Sequence, residues 1–112
     1  MNRKFRMLIA LVAALCLLSG TAALAESKAE LNVFAAASLT ESLTKIADLY
    51  KAANPNVQLN FNFDSSGTLQ TQIESGATAD LFISAAQNQM NALEDGGYIL
   101  DGTRKDLLTN KV

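Results

Sequence analysis

The chain of 112 residues has no histidine, no tryptophan, one cysteine and one proline. Without histidine it lacks the commonest general base and metal ligand, so histidine-dependent catalysis and His-rich metal centres are excluded. A single cysteine cannot build a disulfide framework. Six glycines, one proline and no internal repeat exclude collagen-like and low-complexity chains. Positive charge is scarce as well: nine Lys and Arg stand against eleven Asp and Glu, a formal net of −2, whereas a nucleic-acid binder normally carries a basic face. What is present is 49% apolar and 18% charged residues. That is the composition of one small globular domain, neither two domains nor a disordered tail.

The N-terminus reads as a targeting segment. Arg3, Lys4 and Arg6 form a positive region, residues 7–18 are almost unbroken apolar, and Ser19-Gly20-Thr21-Ala22 leads into the small-x-small site Ala23-Leu24-Ala25. This is the pattern of a secretory signal peptide cleaved after Ala25. Twelve apolar residues fall short of the ~20 that span a bilayer. Leu15 stands where lipid attachment at Cys16 would need a small residue. Residues 1–25 are therefore expected to be a signal peptide and residues 26–112 the domain. The latter has 87 residues, six Lys and Arg against eleven Asp and Glu for a net of −5, and no cysteine. An acidic, secreted domain without disulfides fits the bacterial periplasm, and thiol chemistry is excluded.

Within residues 26–112, strand-like and helix-like patterns alternate. Residues 31–37 form an apolar run broken only by Asn32, which predicts a buried strand. Ser38 then opens a helix to about Ala53, with Leu39, Leu43, Ile46, Leu49 and Tyr50 on one face. Asn54-Pro55-Asn56 stops it. Val57, Leu59, Phe61 and Phe63 alternate with Gln58, Asn60 and Asn62, which is the period of a strand. A second helix is predicted from Gly67 to about Ser75 with Gly76 as its C-terminal stop. A third strand is expected at residues 81–83, and a third helix from Asn88 to about Asp95, closed by Gly96-Gly97. The βαβαβ order implies an α/β fold with a parallel sheet covered by helices.

Such sheets bind ligands beyond the carboxyl ends of their strands, where helices begin. The three junctions are Ala35-Ala36-Ala37-Ser38-Leu39-Thr40, Phe63-Asp64-Ser65-Ser66-Gly67-Thr68 and Ser84-Ala85-Ala86-Gln87-Asn88. All three are small and hydroxyl-rich, and none contains Lys or Arg. Helix N-termini present unpaired N–H groups and a partial positive potential, so helices aimed at one point can hold an anion without a cationic side chain. A plainer role is open to each serine. Ser38 with Glu41 makes a capping box, and Ser65-Ser66-Gly67 a tight turn with a capping serine.

Other groupings carry less. Asp64 and Asp80 flank strand ends but have no third ligand type beside them, which favours turn or capping roles. Glu94, Asp95, Asp101 and Asp106 read as a solvated acidic surface, and Met90, Leu93 and Tyr98 as core or helix-end packing. Gly67-Thr68 lacks the rest of a P-loop, and there is no GxGxxG. Enzyme chemistry would have only serines and carboxylates to work with. A cation receptor would need clustered Tyr, His or carboxylates, whereas Tyr50 and Tyr98 fall on helical positions.

Residues 33–40, 63–69 and 72–85, with a later Arg104-Lys105-Asp106-Leu107-Leu108-Thr109-Asn110, resemble the periplasmic molybdate-binding proteins of ABC importers in order and spacing. The resemblance implies a type II periplasmic binding fold, in which two α/β lobes close on a tetrahedral molybdate or tungstate, with only the first lobe present here. Carried onto this chain, it makes Ser38 and Ser66 the first-lobe ligands, through hydroxyl and backbone N–H. They would meet the metal only through the oxygens of the oxyanion. It further implies a non-enzymatic receptor in the periplasm, no cofactor, a membrane permease as partner, no nucleic acid, and a monomer for the full-length protein. Ala86 departs from the acidic residue expected after Ser84-Ala85.

The missing second lobe would supply the remaining donors. A truncated, non-binding lobe, a lobe completed by another chain, and a receptor for another oxyanion such as sulfate are the alternatives. Calorimetry on residues 26–112 is expected to show weak or no molybdate binding. Micromolar or tighter binding would contradict the need for a second lobe.

Overall fold

Val33, Phe34, Ala35 and Ala36 form the longest fully buried run among the described residues, and the fold is arranged around the strand that contains them. The computed structural model describes residues 27–109; the signal-peptide assignment to residues 1–25 lies outside them. Strand β1 (Ala29–Ala36) is followed by a 3-10 turn (Ala37–Leu39), helix α1 (Thr40–Ala53), strand β2 (Val57–Asp64), helix α2 (Ser66–Glu74), strand β3 (Leu81–Ile83) and helix α3 (Gln87–Asp95). The strands make one parallel sheet in the order β2-β1-β3.

The order dictates where the helices go. The connection from β1 steps to one side and the connection from β2 steps back across β1. Right-handed crossovers then put α1 and α2 on opposite faces. Side-chain alternation along β2 agrees. Leu59 and Phe61 face α1, while Asn62 points to the other face and donates to Gln72 of α2 at 2.6 Å. Phe61 and Phe63, two residues apart on one face, stack with ring centroids 5.0 Å apart.

Leu69 of α2 and Leu93 of α3 are completely buried and anchor these helices. The α1 face is covered less well. Leu43 and Ala47 are half-buried, but Ile46, Leu49 and Tyr50 are exposed, and so are Leu31 and Leu81 on the sheet beside them. The expected apolar stripe of α1 therefore exists in the sequence but is only partly buried. No described helix is long and apolar enough to cross a membrane.

Most predicted boundaries agree with the structure to within two residues. β1 begins earlier than predicted, at Ala29, because its first residues pair with Val57 and Gln58 through the backbone regardless of side-chain polarity. The larger difference follows Ala36, where a 3-10 turn precedes α1. Thr40 causes it: its N–H and its hydroxyl both donate to the Ala37 carbonyl, the hydroxyl at 2.7 Å, which holds the three-residue spacing.

α3 ends as expected at Gly96-Gly97. Gly97 has φ of +79°, a conformation that L side chains resist. Gly96 has another reason, since a Cβ there would lie 2.9 Å from the Tyr98 ring. Gly97→Ala is expected to lower stability by about 1–2 kcal/mol, measured by urea unfolding; an unchanged midpoint would show that the turn does not depend on this conformation.

Candidate functional site

Parallel pairing puts the carboxyl ends of all three strands on one edge. Ala36 is paired with Asp64 and Ala35 with Ile83, so the β1 junction is flanked by the other two. At β1 the outgoing connections of neighbouring strands part to opposite faces, which makes this edge a topological switch point.

Ser38 lies in the 3-10 turn leaving β1, exposed. Among the described residues its hydroxyl has no hydrogen-bond partner. The expected capping box is not formed. No side chain caps the turn or α1, and Glu41 instead pairs with Lys45 one turn on, at 2.8 Å. The added 3-10 turn displaces Ser38 from the cap position, which is why the spacing to Glu41 fails to produce the box. The N–H groups at this helix start are left without a side-chain acceptor.

At the second junction the two adjacent serines divide the roles. Ser65 is the cap: its Oγ accepts from the Thr68 N–H at 3.1 Å and donates to the Thr68 hydroxyl at 2.8 Å. The Asp64 carboxylate accepts from the Ser65 N–H at 2.7 Å. Ser66, the first residue of α2, is therefore not needed as a cap. Its Oγ accepts from the Ala85 N–H at 3.0 Å, across to the third junction. That bond fixes the oxygen and leaves the hydroxyl proton to be donated elsewhere.

At the third junction the Ser84 hydroxyl donates to the Ala86 carbonyl at 2.6 Å and accepts from the Ala86 N–H at 3.2 Å, closing a tight loop. Ala86 is the N-cap of α3 and offers no side-chain acceptor, so this helix start is also uncapped.

Gly67 follows Ser66 within the first turn of α2. Its φ is not positive, and a Cβ there would meet only Gln89 Nε2, at 4.0 Å. Glycine in a helix costs about 1 kcal/mol relative to alanine, and neither the backbone nor the packing requires it here. Its effect is a bare stretch of backbone beside Ser66. Gln89, which sequence reasoning missed, carries a buried Oε1 with no partner among the described residues. A polar residue on a helix that otherwise packs through Leu93 was the only signal.

The remaining sequence candidates separate. Asp64 ends β2, whereas Asp80 precedes β3 at the opposite edge of the sheet, so the two carboxylates do not meet. Asp80 does not take the expected turn or capping role but ties the start of β3 to β1: its Oδ2 accepts from the Asn32 N–H at 2.8 Å, and its own N–H donates to the Asn32 carbonyl at 2.9 Å. Among the described residues no group of three or more His, Cys, Asp or Glu could hold a metal ion. The acidic surface is not simply solvated, because Glu94 pairs with Arg104 and Asp106 accepts from Gln87 at 3.0 Å.

The family model of bacterial extracellular solute-binding proteins matches residues 31–112. The chain belongs to this family. Among its relatives, the molybdate-binding protein ModA of Haemophilus influenzae is 40% identical over 84 residues, covering 75% of this chain and 33% of that protein. ModA of Escherichia coli K12 is 43% identical over 112 residues, covering 100% of this chain and 42% of that protein. In solved structures, the "substrate binding domain of putative molybdenum ABC transporter from Clostridium difficile" has 53% sequence identity and a TM-score of 0.59, over 61% of this chain and 30% of that one. The chain spans less than half the length of the relatives it matches, and its parallel sheet with flanking helices corresponds to one lobe of the periplasmic binding fold.

The contrast between the capping Ser65 and the unpartnered Ser38 is testable. Ser65→Ala is expected to cost about 1 kcal/mol of stability through the lost cap, while Ser38→Ala changes urea unfolding by less than about 0.5 kcal/mol, as for a surface position. Equal losses in both would assign Ser38 a structural role.

Proposed function

We propose that this chain is the first-lobe portion of a receptor for molybdate or tungstate that serves an ABC importer, with Ser38 and Ser66 as ligands. One observation carries the proposal: the helix starts beside β1 and β3 have no side-chain cap, while the serine hydroxyls at the same edge are unpartnered or fixed with a proton to give. The ligand named for the ModA relatives is a tetrahedral dianion, which suits such donors.

Neutral donors suit selection among dianions. A lysine would attract any of them by charge alone, and no junction contains one. Backbone N–H groups and hydroxyls instead compensate the charge through many directed hydrogen bonds, strengthened because the acceptor is ionised. The size of the cavity then separates molybdate from the smaller sulfate. Gly67 lets the anion approach the first turn of α2 closely. Closing a second lobe over the ligand would present the loaded form to a membrane permease. A signal peptide cleaved after Ala25 would place the receptor in the periplasm.

Adding sodium molybdate to the isotope-labelled receptor, complete with its second lobe, is expected to shift the amide resonances of Ser38, Ser66 and Gln87, one at each of the three strand-to-helix junctions, before any others of this lobe. In the receptor complete with its second lobe, Ser38→Ala and Ser66→Ala should each weaken the titration by about 1–3 kcal/mol, the cost of losing a donor to a charged group. Gly67→Ala should weaken it too, without loss of fold stability. Shifts confined to other parts of the chain, or titrations unchanged in both serine variants, would remove this edge from consideration.

A further inference from the structure

The segment that follows α3 contains Arg104, Lys105 and Asp106, and two of these side chains turn back onto the helix. The Arg104 guanidinium donates to Glu94 Oε2 with one nitrogen and to Gln87 Oε1 with the other. Glu94 and Gln87 are seven residues apart, which is about 10.5 Å along a helix, so Arg104 lies along α3 and bridges two of its turns. Its side chain is only 21% exposed, although Glu94 is half exposed, so the value of Arg104 here lies in geometry more than in the ion pair. Gln87 is held at both ends of its carboxamide, since its Nε2 donates to Asp106 Oδ1 at 3.0 Å.

Gln87 is the first residue of α3. Immediately before it lies the loop Ser84-Ala85-Ala86, and the Ala85 N–H is the group that fixes the Ser66 oxygen. Arg104 and Asp106 both reach this end of the helix from the segment after α3, and Arg104 is the one that also reaches Glu94, seven residues further along it. We propose that Arg104 is a positioning residue: by fixing Gln87 it holds the β3–α3 loop where Ala85 can orient Ser66, and so couples the segment leaving α3 to the helix starts. Its meaning for ligand capture rests on the oxyanion site proposed above; the positioning itself does not.

Amide hydrogen exchange on the intact chain tests this without ligand. In Arg104→Gln and in Gln87→Ala, exchange at Ala85 is expected to accelerate at least tenfold, while Val33 to Ala35 in β1 keep their wild-type rates. Arg104→Lys retains the charge but cannot fork, and should give an intermediate rate at Ala85. It also keeps the test informative if Arg104→Gln does not fold. The proposal is overturned if Ala85 exchanges at the wild-type rate in the folded variants, or if Ala85 and β1 accelerate by the same factor, which would mean a general loss of stability. A parallel titration with sodium molybdate separates the two ideas. If the wild-type receptor, complete with its second lobe, shows no shift at Ser66, the oxyanion site fails while the exchange data still decide the role of Arg104.

Discussion

Three parallel strands with the first of them in the middle leave little freedom about where the helices begin. Each strand must hand the chain to a helix at the same edge, and the central strand must send its connection the opposite way from its neighbours. The buried run from Val33 to Ala36 holds this arrangement in place, since it carries the hydrogen bonds to both partners. The proximity of Ser38, Ser66 and the loop around Ala85 is a consequence of that sheet, to which the bond from the Ala85 N–H to Ser66 Oγ adds a direct tie.

What the edge offers chemically depends on which backbone donors are already used. Ser65 caps α2, Ser84 closes its own loop, and Thr40 tightens the turn after β1. These local bonds use the hydroxyls best placed for structure and leave Ser38 and Ser66 over. The chain as a whole is acidic, so an anion is not drawn in by net charge. Its binding would depend on short-range donors and helix dipoles, which fall off within one turn. Such a site discriminates by geometry more than by charge.

Periodicity made the elements legible. The alternation of Val57, Leu59, Phe61 and Phe63 placed β2, the three-residue run at 81–83 matched β3, and the glycines at 76 and 96–97 marked the ends of α2 and α3. The edge was legible, because parallel α/β topology gathers the strands' carboxyl ends and the helix starts there for any sequence. Individual roles were less so. Two adjacent serines look alike in a sequence, and only the helix start decides that Ser65 caps while Ser66 reaches Ala85. The capping box at Ser38 and Glu41 had the right spacing, but the bonds from Thr40 to Ala37 moved the helix start by two residues. The clamp of Arg104 on Gln87 and Glu94 joins residues 17 and 10 positions apart across a segment without regular structure, and no local pattern encodes such a contact.

The central claim is that neutral donors at the carboxyl edge of the sheet hold a tetrahedral metal oxyanion. Crystals of the receptor, complete with its second lobe, grown with sodium tungstate would address it directly, because tungsten scatters anomalously and marks its own position. The account predicts an anomalous peak at the edge where Ser38 and Ser66 lie, within hydrogen-bonding reach of both hydroxyls through the oxyanion's oxygens. A peak only elsewhere, or no peak at this edge at tungstate concentrations that saturate the crystal, would contradict it.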